Sequence, residues 1–215
     1  MRIKSHRLIG DDISQLTSPN QGGPFAAAAP DTLILHFTNG DDAAWAIDAL
    51  RDPTPGGRVS AHLVVHRDGA VTQLVPFDTI AWHAGHSAWG GRTDFNQCSI
   101  GIEIDNAGRL QPEADHFVSW RGTGYDESDV VQATHRNERA PSWWHRYPQP
   151  QLDRVELLCA LLVDRYKMRW ILGHEEIAPD RKHDPGPAFP LDELRQRVLG
   201  QEPMLFYEDM DKTPI

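Results

Sequence analysis

The sequence has few of the features that mark secreted, membrane-spanning or disulfide-stabilised proteins. It contains 2 cysteines among 215 residues, Cys98 and Cys159, so at most one disulfide can form, and neither lies in a CxxC pair. No stretch approaches the roughly 18 apolar residues of a membrane span, and the N-terminus MRIKSHRLIGDD lacks the apolar segment of a signal peptide. We therefore expect a cytoplasmic protein, or a periplasmic or extracellular one if a leader was removed.

Positive charge is also in the minority. Lys and Arg number 21 against 31 Asp and Glu, which gives a formal net charge of -10, and no basic cluster interrupts this balance. A chain of this charge repels nucleic acid and anionic lipid. We expect no nucleic-acid partner and no membrane partner.

The composition is that of a folded globular protein. Hydrophobic residues make up 40% and charged residues 24% of the chain, and the length suits one domain with a buried core. We assign residues 1–200 to this domain, with an irregular insertion at about 107–150. Residues 201–215 form a C-terminal tail without a clear pattern. We expect a monomer.

Strand and helix patterns alternate along the chain. The segment DTLILHFT (31–38) is a nearly continuous apolar run, typical of a strand buried on both faces, and apolar runs flank the turn pair Asp68-Gly69 of a hairpin. Because hairpins and crossovers both occur, we predict an α/β fold with a mixed central β-sheet flanked by helices. Further strands are predicted at 98–106 and 169–172, and helices at 41–52, 151–169 and 190–200.

Two histidines are expected at strand ends. His36 closes the apolar strand, and His174 follows a short apolar run and a glycine. Open α/β sheets generally bind their ligands at such strand ends. A single histidine there is more often a satisfied core residue than a ligand, so neither is decisive alone.

Three charged residues could join them. Glu103 alternates with the isoleucines of CSIGIEIDN, so a strand directs it to the opposite face. Asp184 lies in GHEEIAPDRKHDPGPAFP (173–190), a segment too rich in Gly and Pro for a regular helix to persist. Lys182 lies two residues earlier, so in an extended segment both side chains point the same way. A surface ion pair is the simpler interpretation of these two residues.

Together these residue types suit zinc chemistry. Two imidazoles and one carboxylate leave a fourth position of a tetrahedral zinc open to water, whose pKa then falls toward about 7. Glu103 could take the proton of that water, and Lys182 could stabilise the oxyanion formed at an attacked carbonyl. The fold is needed to bring such dispersed ligands together.

Two other metal motifs fit poorly. HEEIA at 174–178 begins like the zincin motif HExxH, but position 178 is Ala. HRD at 66–68 has the HxD form of an iron facial triad, but its Asp is needed for the predicted hairpin turn. An iron oxygenase is therefore a minor alternative, which metal analysis of the purified protein would decide.

Four segments resemble one known family. They are LILHFT, RVSAHLVVHRDGAVTQLVPFDTIAWHAG, NQCSIGIEIDN and GHEEIAPDRKHDPGPAFP, and in this order they span most of residues 31–190. The sequence resembles the zinc-dependent N-acetylmuramoyl-L-alanine amidases of type 2, which include AmpD-like recycling enzymes, phage lysozyme-type amidases and peptidoglycan recognition proteins. The last segment is most similar to the AmpD-like branch.

The resemblance implies a substrate and a set of site residues. The expected reaction is hydrolysis of the amide between the lactyl group of N-acetylmuramic acid and L-alanine, so the expected partner is a muropeptide or peptidoglycan. Arg58 and Trp82 match positions that hold the peptide stem and line the substrate groove. His62, His83 and His86 match no ligand position. One zinc ion per chain and two catalytic residues are implied: His36, His174 and Asp184 for the metal, Glu103 and Lys182 for catalysis.

The sequence departs from the family pattern after Asn106, where residues 107–150 replace a shorter connection. This departure leaves the size and shape of the substrate open. A module that binds peptidoglycan without cleaving it is the alternative function, although such members typically lack a metal ligand. A metal-free α/β domain is the other alternative, and chelation would leave its activity untouched.

Overall fold

The computed structural model describes residues 1–26, 30–55 and 58–200; the predicted tail at 201–215 lies outside them. The strands are β1 (Arg2–Lys4), β2 (Arg7–Ile9), β3 (Ile13–Gln15), β4 (Gln21–Pro24), β5 (Thr32–Phe37), β6 (Leu63–Val65), β7 (Val71–Gln73), β8 (Thr79–Ala81), β9 (Ala88–Trp89), β10 (Arg92–Thr93), β11 (Ser99–Ile104), β12 (Arg109–Glu113), β13 (His116–Val118), β14 (Gly124–Tyr125), β15 (Val130–Thr134), β16 (Pro141–His145) and β17 (Trp170–Gly173). The helices are α1 (Ala43–Arg51), α2 (Gln149–Tyr166), α3 (His174–Ile177) and α4 (Leu191–Leu199), with short 3-10 turns at Phe95–Gln97 and Glu127–Asp129.

The central sheet is mixed, with the strand order β17-β5-β11-β6-β7-β3. Strands β17, β5, β11 and β6 are parallel, whereas β6 and β7 form the antiparallel hairpin around Asp68-Gly69. The prediction of an α/β fold with a mixed sheet is confirmed. Parallel strands end at the same edge, so β5, β11 and β17 present their C-terminal residues side by side.

Helices cover both faces of this sheet. Leu33 and Leu35 of β5 face the larger core, where α2 and α4 pack their apolar stripes. Val64 of β6 faces α1 on the opposite side. Because side chains alternate along a strand, His36 lies on the α1 face. The residues of α2 and α4 that fill the larger core are Val155, Leu158, Cys159, Leu162, Leu191 and Leu194.

The prediction that residues 107–150 are irregular is wrong. Strands β12 to β16 form a second, antiparallel sheet with the order β14-β13-β12-β16-β15, which we call the insertion sheet. Its small core consists of Ala107, Leu110 and Val130, against which Phe117, Tyr125 and Trp143 pack. The strands have two to five residues and carry many polar groups, so no periodic pattern marks them in the sequence.

The remaining predicted elements agree with the structure to within a few residues. Asp42 caps α1 by accepting a hydrogen bond from the Trp45 backbone N–H, and Gly200 ends α4 with a positive φ. The segment 173–190 contains a single helical turn, α3, at its start. Within the described residues, no helix has the length and apolar character needed to cross a membrane.

Candidate metal centre

Three of the predicted site residues lie at the ends of adjacent parallel strands. Glu103 of β11 pairs in register with His36 of β5, and Gly173 of β17 pairs with Leu35. His174 therefore begins α3 immediately beyond the strand edge that carries His36. The sheet thus brings together residues that are 138 positions apart in the chain.

His36, His174 and Asp184 converge on one point. His36 Nδ1 lies 2.8 Å from His174 Nδ1, and Asp184 Oδ2 lies 2.9 Å from each of these two nitrogens. All three residues are buried, with exposed fractions of 5% or less. Among the described residues, they form one of the two groups of His, Cys, Asp and Glu that are close enough to hold a metal ion.

A contact on the far side of the His174 ring orients its Nδ1 toward Asp184. His174 Nε2 lies 3.1 Å from the carbonyl oxygen of Ala84, to which only an N–H can donate. With its proton on Nε2, the ring directs a lone pair from Nδ1 toward Asp184, as a metal ligand does. Two electron pairs at 2.9 Å repel each other unless a cation lies between them.

A similar chain of contacts fixes the His36 ring. The Ser99 hydroxyl donates to the Phe95 carbonyl, so Ser99 Oγ accepts from His83 Nε2 at 3.4 Å. His83 Nδ1 is then an acceptor, and His36 Nε2–H donates a hydrogen bond to it at 3.0 Å. His36 Nδ1 is left with a lone pair that faces the same point as His174 Nδ1. Gly101 makes room for this chain, because a Cβ there would lie 2.4 Å from the His83 ring.

Burial and neighbouring charges set the protonation of His36 and Asp184. Burial, together with the adjacent His174, lowers the pKa of His36 to about 4, so the His36 ring is neutral at physiological pH. Burial alone would raise the pKa of Asp184, but the two adjacent imidazoles lower it well below its usual range, so Asp184 is ionised. Two imidazoles and one carboxylate are a donor set that zinc prefers, so the residues fit this metal.

Glu103 is half-buried next to His36, and its fully buried Oε2 has no hydrogen-bond partner among the described residues. Burial raises the pKa of Glu103 well above its usual range, and the charge of Asp184 raises it further. A buried carboxyl oxygen without a partner is costly unless a ligand, a water molecule or a cation reaches it. This orphaned atom is a second sign that the cavity is built to receive a polar group.

One cavity of about 640 Å³ contains the five predicted metal and catalytic residues. Lys182 lines the cavity, as do its sequence neighbours Arg181 and His183. Arg58 and Trp82 do not line it, although Val59 and Ser60, which follow Arg58, do. The Arg58 guanidinium lies 5.5 Å from the centre of the Trp82 ring, so the two predicted substrate-binding residues contact each other beside the cavity.

Two residues that follow strands β15 and β16 of the insertion brace the loop that carries His174 and Asp184, which the sequence did not indicate. Fully buried His135 contacts Glu175 Oε2 through Nε2 at 2.6 Å, and the same oxygen accepts from the Gly186 backbone N–H at 3.1 Å. The Tyr147 hydroxyl donates to the Pro185 carbonyl at 2.8 Å. Residues on both sides of His174 and Asp184 are thereby fixed to the insertion.

We expect His135→Ala to loosen this brace. The substitution leaves a buried Glu175 oxygen with one partner fewer and creates a cavity, so it should lower the free energy of unfolding by about 2 kcal/mol and weaken zinc binding. Urea unfolding and zinc titration would measure the two effects. His116→Ala, at a half-exposed histidine of the insertion sheet, is the matched control and should change neither. If His135→Ala lowers the free energy of unfolding but leaves zinc affinity unchanged, the contact stabilises the fold and does not support metal binding.

The second potential metal group within the described residues consists of His135, Glu138 and His183. Both nitrogens of His135 already have partners, since Nε2 contacts Glu175 and Nδ1 accepts from the Asn137 backbone N–H. The Arg109 guanidinium already pairs with Glu138. A cation would have to displace these partners, so we assign no metal to this group.

Comparison with known proteins places this geometry in a family. The family model for N-acetylmuramoyl-L-alanine amidase matches residues 26–187. The 1,6-anhydro-N-acetylmuramyl-L-alanine amidase AmpD of Escherichia coli (strain K12) is 36% identical over 144 residues, which are 66% of this chain and 58% of that protein. The chain therefore spans little more than half of the length of this curated relative.

Solved structures agree with the sequence comparison. The crystal structure of a selenomethionine derivative of AmpD superimposes with a TM-score of 0.66 at 27% identity and covers 92% of this chain and 99% of its own. The amidase AmiD from E. coli, in complex with the substrate anhydro-N-acetylmuramic acid-L-Ala-D-γ-Glu-L-Lys, superimposes with a TM-score of 0.59 at 31% identity. That match covers 80% of this chain and 60% of AmiD.

Proposed function

Because the chain belongs to the N-acetylmuramoyl-L-alanine amidase family, we propose that it is a zinc hydrolase that cleaves the amide bond between N-acetylmuramic acid and L-alanine. The observation that carries the proposal is the convergence of His36, His174 and Asp184 in one cavity with Glu103 and Lys182. A module that only binds peptidoglycan would need neither a complete ligand set nor a buried carboxyl group beside it.

Glu103 would move the proton in this reaction. Zinc held by the three ligands would lower the pKa of a water molecule toward about 7 and polarise the carbonyl of the substrate amide. Glu103 would accept the proton of the attacking water and donate it to the nitrogen that leaves as the amine of L-alanine. Its raised pKa suits the second half of this cycle, because the buried side chain retains the proton until the amine needs it.

Lys182 would stabilise the negative charge that develops on the carbonyl oxygen. Within the described residues, no carboxylate forms an ion pair with its ammonium group, so the charge is available to a substrate. Burial and the charge of Asp184 raise the pKa of Glu103, and the positive charge of Lys182 partly opposes them. The charge of Lys182 therefore acts on a group inside the cavity. A charge fixed at the site of a developing oxyanion favours the transition state over the substrate.

The relatives suggest the form of the substrate. AmpD is named for a 1,6-anhydro substrate, and AmiD was crystallised with an anhydro-muropeptide. We therefore propose anhydro-muropeptides as substrates, which accords with the expectation of a cytoplasmic recycling enzyme. Arg58 would bind a carboxylate of the peptide stem and Trp82 would support its side chain by stacking, as their contact suggests.

The experiment that tests this function compares two substrates. The purified full chain is incubated with a soluble anhydro-muropeptide and with intact sacculi, and released peptides are identified by mass spectrometry. We expect free peptides that begin with L-alanine from the soluble substrate, faster than from sacculi, and complete loss of release after chelation. Binding of either substrate without release would favour the non-catalytic module instead.

A further inference from the structure

The insertion lines one part of the cavity, which we call the insertion-sheet wall, and α1 with Val59 and Ser60 lines another part. We propose that the insertion-sheet wall is a binding subsite for the sugar ring of the substrate, with the indole of Trp120 as its stacking surface. This inference rests on the proposed function, because it assigns the sugar and the peptide of one substrate to different walls. The wall residues concerned are Arg109, Gln111 and Trp120.

Trp120 is exposed but held in place. It lies in the turn between β13 and β14, and 61% of its surface is accessible, although it lines the cavity. Its Nε1–H donates to the backbone carbonyl of Asn39 at 2.7 Å, three residues beyond the metal-group residue His36. One edge of the indole is therefore anchored next to the candidate metal centre, while much of the ring remains open.

Contacts around Trp120 fix the tip of the insertion to the main domain. The Arg121 guanidinium lies 5.3 Å from the centre of the Trp120 ring and 4.8 Å from that of Trp45 on α1. Asp41 accepts from Arg121 Nε and from the Thr123 hydroxyl, each at 2.6 Å. Such a preorganised aromatic surface loses little conformational entropy when a ligand packs against it.

The charges of this wall favour an uncharged ligand. The acid that pairs with Arg121 is Asp41, and the acid that pairs with Arg109 is Glu138, so neither guanidinium presents unbalanced charge. The ligand in the AmiD complex contains a γ-linked glutamate, which keeps a free carboxylate. A peptide stem of this kind is anionic and is better matched to the cations outside this wall. Within the described residues, neither Lys182 nor Arg58 has a carboxylate partner.

A sugar ring suits both features of this wall, its exposed aromatic surface and its balanced charges. One face of a pyranose is lined with C–H groups, which pack on the electron-rich face of an indole. Its hydroxyl and N-acetyl groups need neutral hydrogen-bonding partners, which the exposed amide of Gln111 supplies. Arg109, Gln111 and Trp120 all lie within residues 107–150, so the proposed subsite belongs to the insertion.

Kinetics with and without the sugar test the subsite. The kcat/KM of the full chain is compared for an anhydro-muropeptide and for the matching N-lactyl peptide, which keeps the scissile amide but lacks the ring. We expect Trp120→Ala to reduce the preference for the sugar-bearing substrate roughly 3- to 10-fold, and Trp120→Phe to restore most of it. Leu157→Ala, at an exposed apolar residue of α2, is the control and should leave the preference unchanged. Equal losses with both substrates, or no loss, would overturn the proposal.

A binding measurement separates this inference from the proposed function. Saturation-transfer NMR with 1,6-anhydro-N-acetylmuramic acid and the full chain should show contact through the C–H face of the ring, and Trp120→Ala should weaken it. If the wild-type chain hydrolyses no muropeptide but still binds the sugar through Trp120, the reaction is wrong and the subsite stands. The subsite is wrong if the sugar does not bind. It is also wrong if Trp120→Ala leaves sugar binding unchanged and the peptide stem contacts this wall.

Discussion

We expect Glu103→Gln to lower kcat by roughly 10²- to 10⁴-fold while the zinc content of the protein stays unchanged. The amide has the shape of the carboxyl group but cannot accept the proton of the attacking water. Among the described residues, Glu103 Oε2 has no hydrogen-bond partner, so the substitution breaks no bond at that atom. Burial makes the charged form of Glu103 costly, so the neutral amide should not lower the free energy of unfolding. Single-turnover hydrolysis of an anhydro-muropeptide and metal analysis of the same sample would measure both quantities.

The matched control for this experiment is Glu113→Gln. Glu113 is an exposed carboxylate at the end of β12, and we expect its substitution to leave kcat within a factor of two. A fully active Glu103→Gln enzyme would show that another group moves the proton, even if zinc and substrate bind as proposed. Loss of zinc from Glu103→Gln would instead make Glu103 part of the metal site.

The second large effect is expected at the carboxylate of the metal group. Asp184→Ala leaves two imidazoles to hold the ion, and we expect zinc affinity to fall at least about 100-fold, with activity lost at ordinary zinc concentrations. Competition with a chromophoric chelator would measure the affinity. Asp180→Ala removes an exposed carboxylate from the same loop and should leave zinc affinity unchanged. Equal zinc affinity in the Asp184→Ala and wild-type proteins would remove Asp184 from the ligand set.

The periodic parts of the fold were predictable from the sequence. The strand at 31–38 is a continuous apolar run because helices cover both of its faces, and α2 repeats its apolar residues at helical spacing because one side faces the core. Strand alternation also predicted that Glu103 faces away from the isoleucines of β11, where it lies beside His36. These features depend on the spacing of residues within one segment, so they can be predicted without knowing which segments pack together.

The insertion sheet was not predictable in this way. Its strands are short, and the apolar residues that hold it, such as Leu110 and Val130, find their partners across the sheet rather than along the chain. The buried contact between His135 and Glu175 joins residues 40 positions apart, so no pattern within a single segment predicts it. Nor could the sequence show that Trp120 would bond to the loop beyond His36 and so define one side of the cavity.

The candidate metal group could be proposed from the sequence only in part. The residue types alone suggested His36, His174 and Asp184 as one possible ligand set, and the resemblance to a family implied the same set. The structure adds the contacts of His174 Nε2 with Ala84 and of His36 Nε2 with His83, which orient Nδ1 of both rings toward Asp184. Such second-layer contacts depend on the packing of the whole sheet edge.

Anomalous diffraction from a crystal of the purified full chain, recorded on both sides of the zinc absorption edge, tests the central proposal most directly. We expect one zinc peak per chain, in contact with His36 Nδ1, His174 Nδ1 and Asp184 Oδ2 and within reach of a water molecule beside Glu103. A map in which these three atoms contact one another with no ion among them, or in which zinc binds elsewhere on the chain, would contradict it.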